Sequence, residues 1–475
     1  MSELQLCFLF VGTLAQQGEP RLQGRDAMSD EKKLALYERF RSINAIDPEL
    51  FEKYEVKRGL RNPDGTGVVA GITGISNVHG YVISDNEKVA DKGSLRYRGY
   101  EIADLLDPTD TERRFNYEEI VYLLLMGDLP TQDQLSAFIG VLDSHRELPD
   151  GFTASSIMRA TPHDIMNALA RSVLLLYSYD EHAEDREPMH EIDTAISLAS
   201  RLPRIMVLSY YAMRAQFHNE SMIMHRFIPG QSTSETILSM LRPDRQFTQQ
   251  EARMLDIMLC LHAEHGGGNN STFTTRVLTS ADTDPYSAYA AAIGSLKGRK
   301  HGGANHQVRA MQREIKENVS NWENDDEVAA YLAKIVRKEA YDHSGLVYGM
   351  GHAVYTESDP RAVILKKFAS KLAAGTEFEA EFKLLESIER LSPEVILREK
   401  GTKKDMCANV DMYSGFVYSM LRIPEELFTP LFACGRIAGW AAHRFEELVT
   451  GKRIIRPAYK TYRKGSRPYV PIEQR

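Results

Sequence analysis

The sequence predicts a mainly α-helical fold with one small β element near its N-terminal part. From Asp91 onward, apolar residues recur with a helical period in most segments. Strands that alternate with helices, the pattern of a doubly wound sheet, do not occur. Short β-branched pieces are confined to about residues 67–100.

The first predicted elements follow a stretch, residues 1–27, that we leave out of the fold prediction. Apolar residues share one face of a helix predicted over 29–44, with charges on the opposite face. A second short helix is predicted over 48–57. Residues 59–80 are rich in glycine and predict a loop with one or two short strands, which continue through 82–83.

The remaining helices are predicted from apolar spacing and from residues typical of helix ends. Gly127 and Gly298 each end a helix, and Asp284 followed by Pro285 begins one. The predicted helices span residues 117–125, 131–148, 155–177, 191–216, 233–241, 248–262, 272–279, 286–296, 304–316, 327–339, 360–374, 377–391, 413–421 and 430–448.

Length, charge and cysteine content restrict the class of protein. The 475 residues suffice for more than one domain. There are 58 Lys and Arg against 66 Asp and Glu, a net charge of −8, whereas nucleic-acid binding favours a basic surface. The four cysteines form no C-x-x-C pair, which argues against zinc fingers and disulfides and favours a reducing, cytoplasmic location.

Neither a membrane span nor a signal peptide is predicted. No apolar run approaches the ~20 residues of a membrane-spanning helix. The most apolar stretch near the N-terminus is short, and Glu3 stands where a signal peptide usually has a positive charge. We therefore expect residues 1–27 to be a leader or extension of unknown role, and we expect no membrane partner.

His301 stands between two predicted helices in a turn that suits oxyanion stabilisation. Gly302 and Gly303 let the backbone turn sharply and place N–H groups near a ligand. The histidine and these N–H groups could then point at one developing oxyanion. A glycine turn that happens to contain a histidine explains the stretch equally well.

A histidine pair lies at the end of another predicted helix. His262 and His265 are three residues apart and would face the same way. A metal would need a third ligand, and the spacing is not the i, i+4 pair of zinc sites, so we predict no metal. The alternative is a helix C-terminus at which histidine is compatible with the helix dipole.

Two further stretches combine glycine or apolar residues with titratable side chains. Glycines lie around His352, and an Asp-Pro pair then begins a helix with Arg361 in its first turn. A cation there opposes the helix dipole, which suggests a bidentate contact with a carboxylate. Asp411 lies between apolar residues that would raise its pKa and make it a plausible base, although it could simply cap the helix that follows.

Together these residues suit removal of a proton next to a carbonyl and attack of the enolate on a second, anionic carbonyl compound. Arg361, Arg436 and Arg456 would bind carboxylates. The sequence has no nucleophilic-serine motif and no redox-cofactor fingerprint.

These motifs resemble those of the citrate synthase family, most closely its bacterial type. The family patterns are L-x-Y-R-G-Y, H-x-x-H-x-x-x-N, G-P-x-H-G-x-A-N, G-x-G-H-x-V-x-x-x-x-D-P-R and N-V-D-x-Y-S-G. The resemblance covers about residues 65–475. The motifs correspond to residues 95–100, 262–269, 298–305, 349–361 and 409–415.

The resemblance implies a citrate synthase-like two-domain multihelical fold. Residues 65–301 with 417–475 would form the large domain, and 302–416 a small domain that closes over the substrates, after a helical segment at 28–64. The implied enzyme is an acyltransferase of the tricarboxylic acid cycle that condenses acetyl-CoA with oxaloacetate and water to give citrate and CoA. The family also implies a homodimer with a shared active site, with a higher oligomer left open, and no cofactor, since the CoA thioester is a substrate.

The resemblance also implies roles for individual residues. Asp411 would take a proton from the acetyl-CoA methyl group, His301 would stabilise the enol, and His352 would donate to the oxaloacetate carbonyl. Oxaloacetate or citrate would be bound by His262, His265, Asn269, Arg361, Phe432, Arg436 and, from the other subunit, Arg456.

The contacts to CoA are less clear from the motifs. Family members often carry Lys or Arg at the position of Thr356, and Pro-x where this chain has Arg299 and Lys300. The candidate CoA-binding residues are Lys297, Arg299, Lys300, Val347, Gly349, Gly351, Lys366, Lys367 and Asn409.

Three other functions are compatible with parts of the pattern. A 2-methylcitrate synthase that uses propionyl-CoA would share every motif, because one methylene in an apolar pocket changes binding by only ~1–3 kcal/mol. A non-catalytic acyl-CoA-binding relative would have lost the base or a histidine, whereas Asp411, His301 and His352 are present. A metal-dependent hydrolase built on His262 and His265 would need a further ligand.

Overall fold

The computed structural model describes residues 30–85, 87–112, 114–401, 406–463 and 465–475. Two compact units are distinguished: residues Leu60–Ala458, here called the body, and a terminal unit made of residues 30–59 with 459–475. The leader predicted for residues 1–27 lies outside the described residues. The fold is mainly helical with one small sheet, as the sequence predicts.

The described residues of the terminal unit form two α-helices, α1 (Asp30–Asn44) and α2 (Glu49–Lys53), and a 3-10 turn, Ile472–Gln474. None of the residues of this unit whose exposure is described is buried. These described residues therefore form no core, although helices of this length gain most of their stability from packing an apolar face. The exposed apolar side chains of the unit include Leu34, Leu36, Tyr37, Phe40, Ile43, Ile46, Tyr459, Tyr469 and Ile472.

The sheet is antiparallel, in the order β1 (Ser76–Ser84), β2 (Glu87–Tyr97), β3 (Tyr100–Glu101). β1 pairs with β2 from one end to the other, with Ser76 opposite Tyr97. The prediction of helical structure from Asp91 onward was therefore wrong up to Glu101. Pairing with β1, the preceding strand of the same hairpin, overrides the local pattern there.

The body's helices run in the predicted order, and several begin at a side-chain cap. Thr131, Ser232 and Thr248 each form a capping box. No helix among the described residues has both the length and the apolar composition needed to cross a membrane. The helices are α3 (Ile102–Thr111), α4 (Tyr117–Met126), α5 (Gln132–Ser144), α6 (Ile165–Leu176), α7 (Pro188–His218), α8 (Thr233–Leu241), α9 (Gln249–His262), α10 (Asn270–Ser280), α11 (Pro285–Leu296), α12 (Ala304–Asn318), α13 (Asp325–Val336), α14 (Pro360–Ala373), α15 (Glu379–Lys400), α16 (Asp411–Met420) and α17 (Phe428–Thr450).

One predicted helix is interrupted and another is longer than predicted. Residues 155–177 do not form a single helix, because Pro162 separates a π-helical turn from α6, whose cap Asp164 accepts the Asn167 N–H at 2.7 Å. α15 continues past residue 391 through Pro393. The helix packs against α13, and it has buried residues on both sides of the proline, among them Ile388 and Val395.

α17 lies at the centre of the body. Every residue from Phe428 to Arg444 is buried, and the helix packs against α4, α7, α9 and α10. Gly435 and Gly439, one turn apart, let the end of α9 approach closely. A Cβ atom at Gly435 would lie 2.9 Å from the Leu259 carbonyl oxygen, and one at Gly439 would overlap the Ala263 carbonyl. The chain after α9 is therefore held directly against α17.

The sheet supports a second segment, residues 354–360, through two glycines. A Cβ atom at Gly80 would lie 2.6 Å from the Tyr355 Cα, and one at Gly93 would overlap the Ser358 carbonyl oxygen. Only glycine permits this approach, so the strands and the start of α14 have a fixed relative position.

Candidate active site

The last residue of α9, His262, is fully buried against α17. Its ring stacks on Phe432 with centroids 4.0 Å apart, and its Nε2 lies 3.1 Å from the Tyr418 hydroxyl. Burial lowers the pKa of His262 well below its usual range, and Arg436 and Arg361 act in the same direction. The ring is therefore a neutral hydrogen-bonding group.

His265 and His352, from separate motifs, lie side by side. Their rings are perpendicular with centroids 5.1 Å apart. The Tyr355 hydroxyl lies 3.2 Å from His265 Nε2, and the Tyr355 ring stacks on His352 at 4.6 Å. Burial lowers the pKa of both histidines, that of His352 to about 4. Both rings are neutral at ordinary pH.

Backbone contacts determine which nitrogen of His352 carries the proton. Nδ1 accepts the N–H groups of Val354 at 3.0 Å and Tyr355 at 3.1 Å. Because both partners are donors, Nδ1 has no proton, and the neutral ring carries its proton on Nε2. His352 can therefore donate a hydrogen bond from Nε2 to a ligand.

Arg361 forms the predicted bidentate contact, but with a neighbouring residue. Asp359 caps α14 and accepts from Arg361 Nε at 3.0 Å and from Nη2 at 2.7 Å. Although burial lowers the pKa of the guanidinium, Asp359 raises it above its usual value. Nη1 has no partner of its own among the described residues, so one donor nitrogen remains for a ligand.

Arg436, on α17, is fully buried without an ion pair among the described residues. Its Nε donates to the His262 carbonyl oxygen, and the guanidinium lies 4.8 Å from the centre of the Phe432 ring. Nη1 and Nη2 have no hydrogen-bond partner in the described part of the chain. Burial lowers the pKa of Arg436 to about 10. Because a buried, unpaired guanidinium is costly, this position is suited to an anionic ligand.

His301 lies in the glycine turn between α11 and α12, with its Nε2 3.1 Å from the Ser271 hydroxyl. Burial lowers its pKa to about 4. Ser271 also accepts the Trp440 indole N–H at 3.1 Å and lies 2.9 Å from Asn269 Oδ1. Its single proton can go to Asn269 or to His301 Nε2. In the second arrangement the neutral His301 ring carries its proton on Nδ1.

Asp411 is the first residue of α16 but does not cap it. The Asn409 side chain accepts the Asp411 N–H at 3.0 Å, and the Asp411 Oδ1 is buried without a hydrogen-bond partner among the described residues. Burial raises the pKa of Asp411 to about 6, with Asp359 acting in the same direction and Arg361 opposing it. A purely capping role is excluded by this geometry.

α12 links the His301 turn to the helix of Asp411. Asn305, in the first turn of α12, donates to the Ser414 hydroxyl, and Gln312 Nε2 donates to the Met412 carbonyl oxygen at 3.0 Å. The helix that follows the His301 turn is therefore hydrogen-bonded to the helix that begins at Asp411.

The two remaining residues predicted to bind oxaloacetate differ in position. Asn269 caps α10 by accepting the Ser271 N–H at 3.3 Å. Arg456 is exposed in the segment after α17, where the neighbouring Ile455 N–H donates to the Ser280 hydroxyl at 3.0 Å. Within the described residues Arg456 forms no ion pair.

A glycine loop lies beside Asp411. Gly349 and Gly351 each have a φ of 86°, which other residues rarely adopt. The Asn409 N–H donates to the Gly349 carbonyl at 2.9 Å, and its Nδ2 donates to the Gly351 carbonyl at 2.9 Å. Val347, in the same loop, is buried.

Four of the five cationic candidates for CoA binding are exposed: Lys297, Arg299, Lys300 and Lys367. Lys297 and Lys366 form ion pairs, with Nζ 3.4 Å from Asp164 and 2.8 Å from Glu389 respectively.

Thr356 is hydrogen-bonded to the two long strands of the sheet. It is buried, its hydroxyl donates to the Gly80 carbonyl, and it accepts the Asp91 N–H at 3.1 Å. This position therefore binds the strands together and supplies no cation.

Three hydroxyl groups that hold the site histidines were not among the predicted residues: Tyr355, Tyr418 and Ser271. Tyr355 lies three residues after His352 in the same motif, which was a usable signal, whereas the Tyr418 contact depends on helix packing. No group of three or more His, Cys, Asp or Glu side chains in the described segments could hold a metal.

The arrangement combines one buried carboxylate with a raised pKa, neutral histidines and two buried arginines. Such a carboxylate can remove a proton, neutral histidines can donate to carbonyl oxygens, and the arginines can bind an anion. The geometry therefore suits carbon–carbon bond formation through an enolate.

Comparison with known proteins identifies the family. Residues 64–458 match the model of the citrate synthase C-terminal domain. The chain is 33% identical over 385 residues to the citrate synthase of Synechocystis, covering 81% of this chain and 88% of that protein. It is 30% identical over 384 residues to the 2-methylcitrate synthase of Shewanella oneidensis, covering 80% and 92%.

Solved structures of citrate synthases share the fold of this chain. Citrate synthase of Thermoplasma acidophilum, in a ternary complex with carboxymethyl coenzyme A and oxaloacetate, superposes with a TM-score of 0.72 at 26% identity, covering 88% of this chain and 99% of that one. Citrate synthase of Thermotoga maritima gives a TM-score of 0.69 at 26% identity with the same coverage. This chain belongs to the citrate synthase family and is an acyltransferase enzyme.

Proposed function

We propose that this enzyme condenses acetyl-CoA with oxaloacetate and water to give citrate and CoA, as a cytoplasmic enzyme of the tricarboxylic acid cycle. One observation carries the proposal: Asp411, whose Oδ1 has no hydrogen-bond partner among the described residues, lies close enough to Arg361 for that arginine to lower its pKa. Arg361 and Arg436 both act on the pKa of His265 in the same site. The Thermoplasma relative, bound to oxaloacetate and a CoA derivative, supports this pair of substrates.

In the proposed mechanism Asp411 removes a proton from the acetyl methyl group. His301 donates to the thioester oxygen and stabilises the enolate, in the arrangement in which Ser271 donates to His301 Nε2 and the ring proton is on Nδ1. The enolate carbon attacks the keto carbon of oxaloacetate, while the Nε2–H of His352 donates a hydrogen bond to the keto oxygen and stabilises the alkoxide that forms there. The new hydroxyl gains one proton, which balances the proton that Asp411 removed from the methyl group. Water then hydrolyses the thioester of citryl-CoA to citrate and free CoA.

Oxaloacetate would lie against Arg436, whose two unpaired nitrogens suit one carboxylate. Arg361 Nη1, His262 and His265 would donate to the remaining oxygens. Asn269 and Phe432 would complete the pocket. The Phe432 ring contacts both His262, which stacks on it, and the guanidinium of Arg436.

We also propose that residues 302–416 form a small domain that closes on a large domain of residues 65–301 and 417–475. Asp411, His352 and Arg361 belong to the small domain, and the other substrate-binding groups to the large one. Closure would exclude water, which strengthens each hydrogen bond in the site and protects acetyl-CoA from hydrolysis.

The proposed homodimer has shared active sites, since Arg456 is exposed and would reach the partner's oxaloacetate. Arg456→Ala is expected to lower kcat/KM for oxaloacetate about a hundredfold, the effect of losing a charged contact. Mixing with Asp411→Asn subunits should restore part of the activity, because one site per mixed dimer then has both residues. Absence of any rescue in confirmed mixed dimers would contradict a shared site.

Arg299 is the best-placed candidate for the CoA phosphates. The Arg299 side chain is exposed and lies near Tyr348, which is next to Gly349 in the glycine loop. Burial raises the pKa of Tyr348, and the charge of Arg299 opposes this rise. Arg299→Ala is expected to raise KM for acetyl-CoA about tenfold through loss of a charged contact and to leave KM for oxaloacetate unchanged. The exposed Lys334→Ala serves as control, and an unchanged KM for acetyl-CoA would remove Arg299 from the site.

The second candidate function is that of a 2-methylcitrate synthase, because relatives with that name match at 30% identity. Thiol release with oxaloacetate, measured with acetyl-CoA and propionyl-CoA, tests both. A kcat/KM for acetyl-CoA at least about tenfold higher would support citrate synthase. An equal or higher value for propionyl-CoA would overturn that choice, and no release with either substrate would overturn both.

A further inference from the structure

Glu264, between the two site histidines His262 and His265, is fully buried and takes no part in the proposed chemistry. One of its oxygens, Oε1, accepts three hydrogen bonds. The donors are the Ser76 hydroxyl at 2.8 Å, His443 Nε2 at 2.8 Å, and the N–H of Gly266. Glu264 therefore connects β1, α17 and the loop after α9.

The protonation of His443 is fixed by its second partner. Arg276 of α10 donates to His443 Nδ1, with Nη2 2.6 Å and Nε 3.2 Å away. An arginine can only donate, so Nδ1 carries no proton, and Nε2 carries the one that it donates to Glu264. Arg276 is in turn held by Glu446 and by Glu447, at 3.0 Å for the latter.

Close packing restricts the conformation of the Glu264 side chain and of its loop. Gly439 has no side chain where the second Glu264 oxygen, Oε2, lies, and a Cβ atom there would overlap that oxygen. Gly266 has a φ of 87°, and a Cβ atom would lie 3.1 Å from Val78 Cγ2. The backbone on both sides of His265 is therefore constrained.

Glu264 is also charged. Burial raises the pKa of Glu264, but His443, Arg436 and Ser76 lower it by more, to about 2. Two groups of α17 bind the backbone just before Glu264. Arg436 Nε donates to the His262 carbonyl oxygen, and the Gly439 N–H donates to the Ala263 carbonyl oxygen at 3.1 Å. A carboxylate and an unpaired guanidinium thus share one loop.

We propose that Glu264, oriented by His443, is a positioning residue that holds His262 and His265 in place for binding of oxaloacetate. The inference rests on the proposed function, because it assigns these histidines to that substrate. Glu264 would act through the loop and touch no reacting atom. Misplacement of binding groups by about 1 Å can cost orders of magnitude in rate, so loss of this support should reduce oxaloacetate binding.

The test compares substitutions of Glu264 and His443 with a matched control, the buried Glu191, whose partner Arg444 lies next to His443 on α17. Glu264→Ala and His443→Ala are expected to raise KM for oxaloacetate about tenfold or more and to change KM for acetyl-CoA by less than about twofold. Glu264→Gln keeps an acceptor oxygen and should stay within about threefold of wild type. Glu191→Gln removes a buried carboxylate that Arg444, next to His443, binds at 2.6 and 2.7 Å. It should reduce stability without changing either KM.

Several results would overturn the inference. A folded Glu264→Ala variant whose KM for oxaloacetate stays within about twofold of wild type would do so. So would an equal increase in KM for oxaloacetate and for acetyl-CoA, or an equal increase in KM for oxaloacetate in the Glu191→Gln control. If the Ala variants do not fold, the same two KM values are measured for Ser76→Ala, which removes one of the three donors to Glu264. A rise in KM for oxaloacetate alone supports the inference, and no rise overturns it. An inactive wild-type enzyme that does not bind oxaloacetate would instead refute the proposed function.

Discussion

Replacement of Asp411 by Asn is expected to lower kcat about a thousandfold, within the usual contribution of a general base. Asn has the same shape but cannot take a proton. The Asp411 Oδ1 has no hydrogen-bond partner among the described residues, and the carboxylate does not cap α16. The substitution should therefore leave the unfolding temperature unchanged or raise it, because the buried charge is removed.

The pH dependence provides an independent measurement of the same residue. Burial raises the pKa of Asp411 to about 6, and only its ionised form can act as a base. Log kcat/KM should therefore rise with pH up to about 6 and level off above it. His301 and His352, with pKa values lowered by burial to about 4, are mostly neutral at pH 5 and above. A profile that is flat between pH 7 and pH 5 would contradict the assignment.

Asp256→Asn is the control for this prediction. Asp256 is another buried carboxylate whose pKa is raised by burial, but it accepts the Asn116 N–H at 2.8 Å and the Tyr117 N–H at 3.3 Å at the start of α4. Its substitution should alter stability and leave kcat within about twofold of wild type. A loss as large as that of Asp411→Asn would mean that the effect is structural.

Replacement of Arg436 by Met is expected to lower kcat/KM for oxaloacetate about a thousandfold without loss of stability. Two of its guanidinium nitrogens are buried without a partner among the described residues, so the desolvation cost of the charge is uncompensated until an anion binds. Met would fill the space over Phe432 and remove that cost, but it cannot bind a carboxylate. The unfolding temperature of the ligand-free enzyme should stay equal or rise, while oxaloacetate should no longer raise it.

Arg444→Met gives the opposite pattern and serves as the control. Arg444 is equally buried on α17, but Glu191 accepts two hydrogen bonds from it. Removing it leaves a buried carboxylate unpaired, which should cost about 3–5 kcal/mol of unfolding free energy. The folded fraction should keep the wild-type KM for oxaloacetate. If both arginine variants lose the same amount of stability, Arg436 is a structural residue.

Much of the helical fold could be predicted from local patterns. α4, α9, α11 and α12 lie where apolar spacing and capping residues indicate, because both signals come from neighbours along the chain. The helix predicted over 155–177 and the strand that extends to Tyr97 show where this fails. Pro162 breaks the first, and pairing with a strand some twenty residues away determines the second.

The sequence by itself determined the family motifs, the types of residue in the site and the predominance of helix. Only the tertiary structure decided which atoms of those residues are free to react. Asp359 occupies two nitrogens of Arg361, backbone N–H groups fix the proton of His352 on Nε2, and burial raises the pKa of Asp411. Free donors, protonation and pKa depend on groups brought together from distant segments, and no local pattern specifies them.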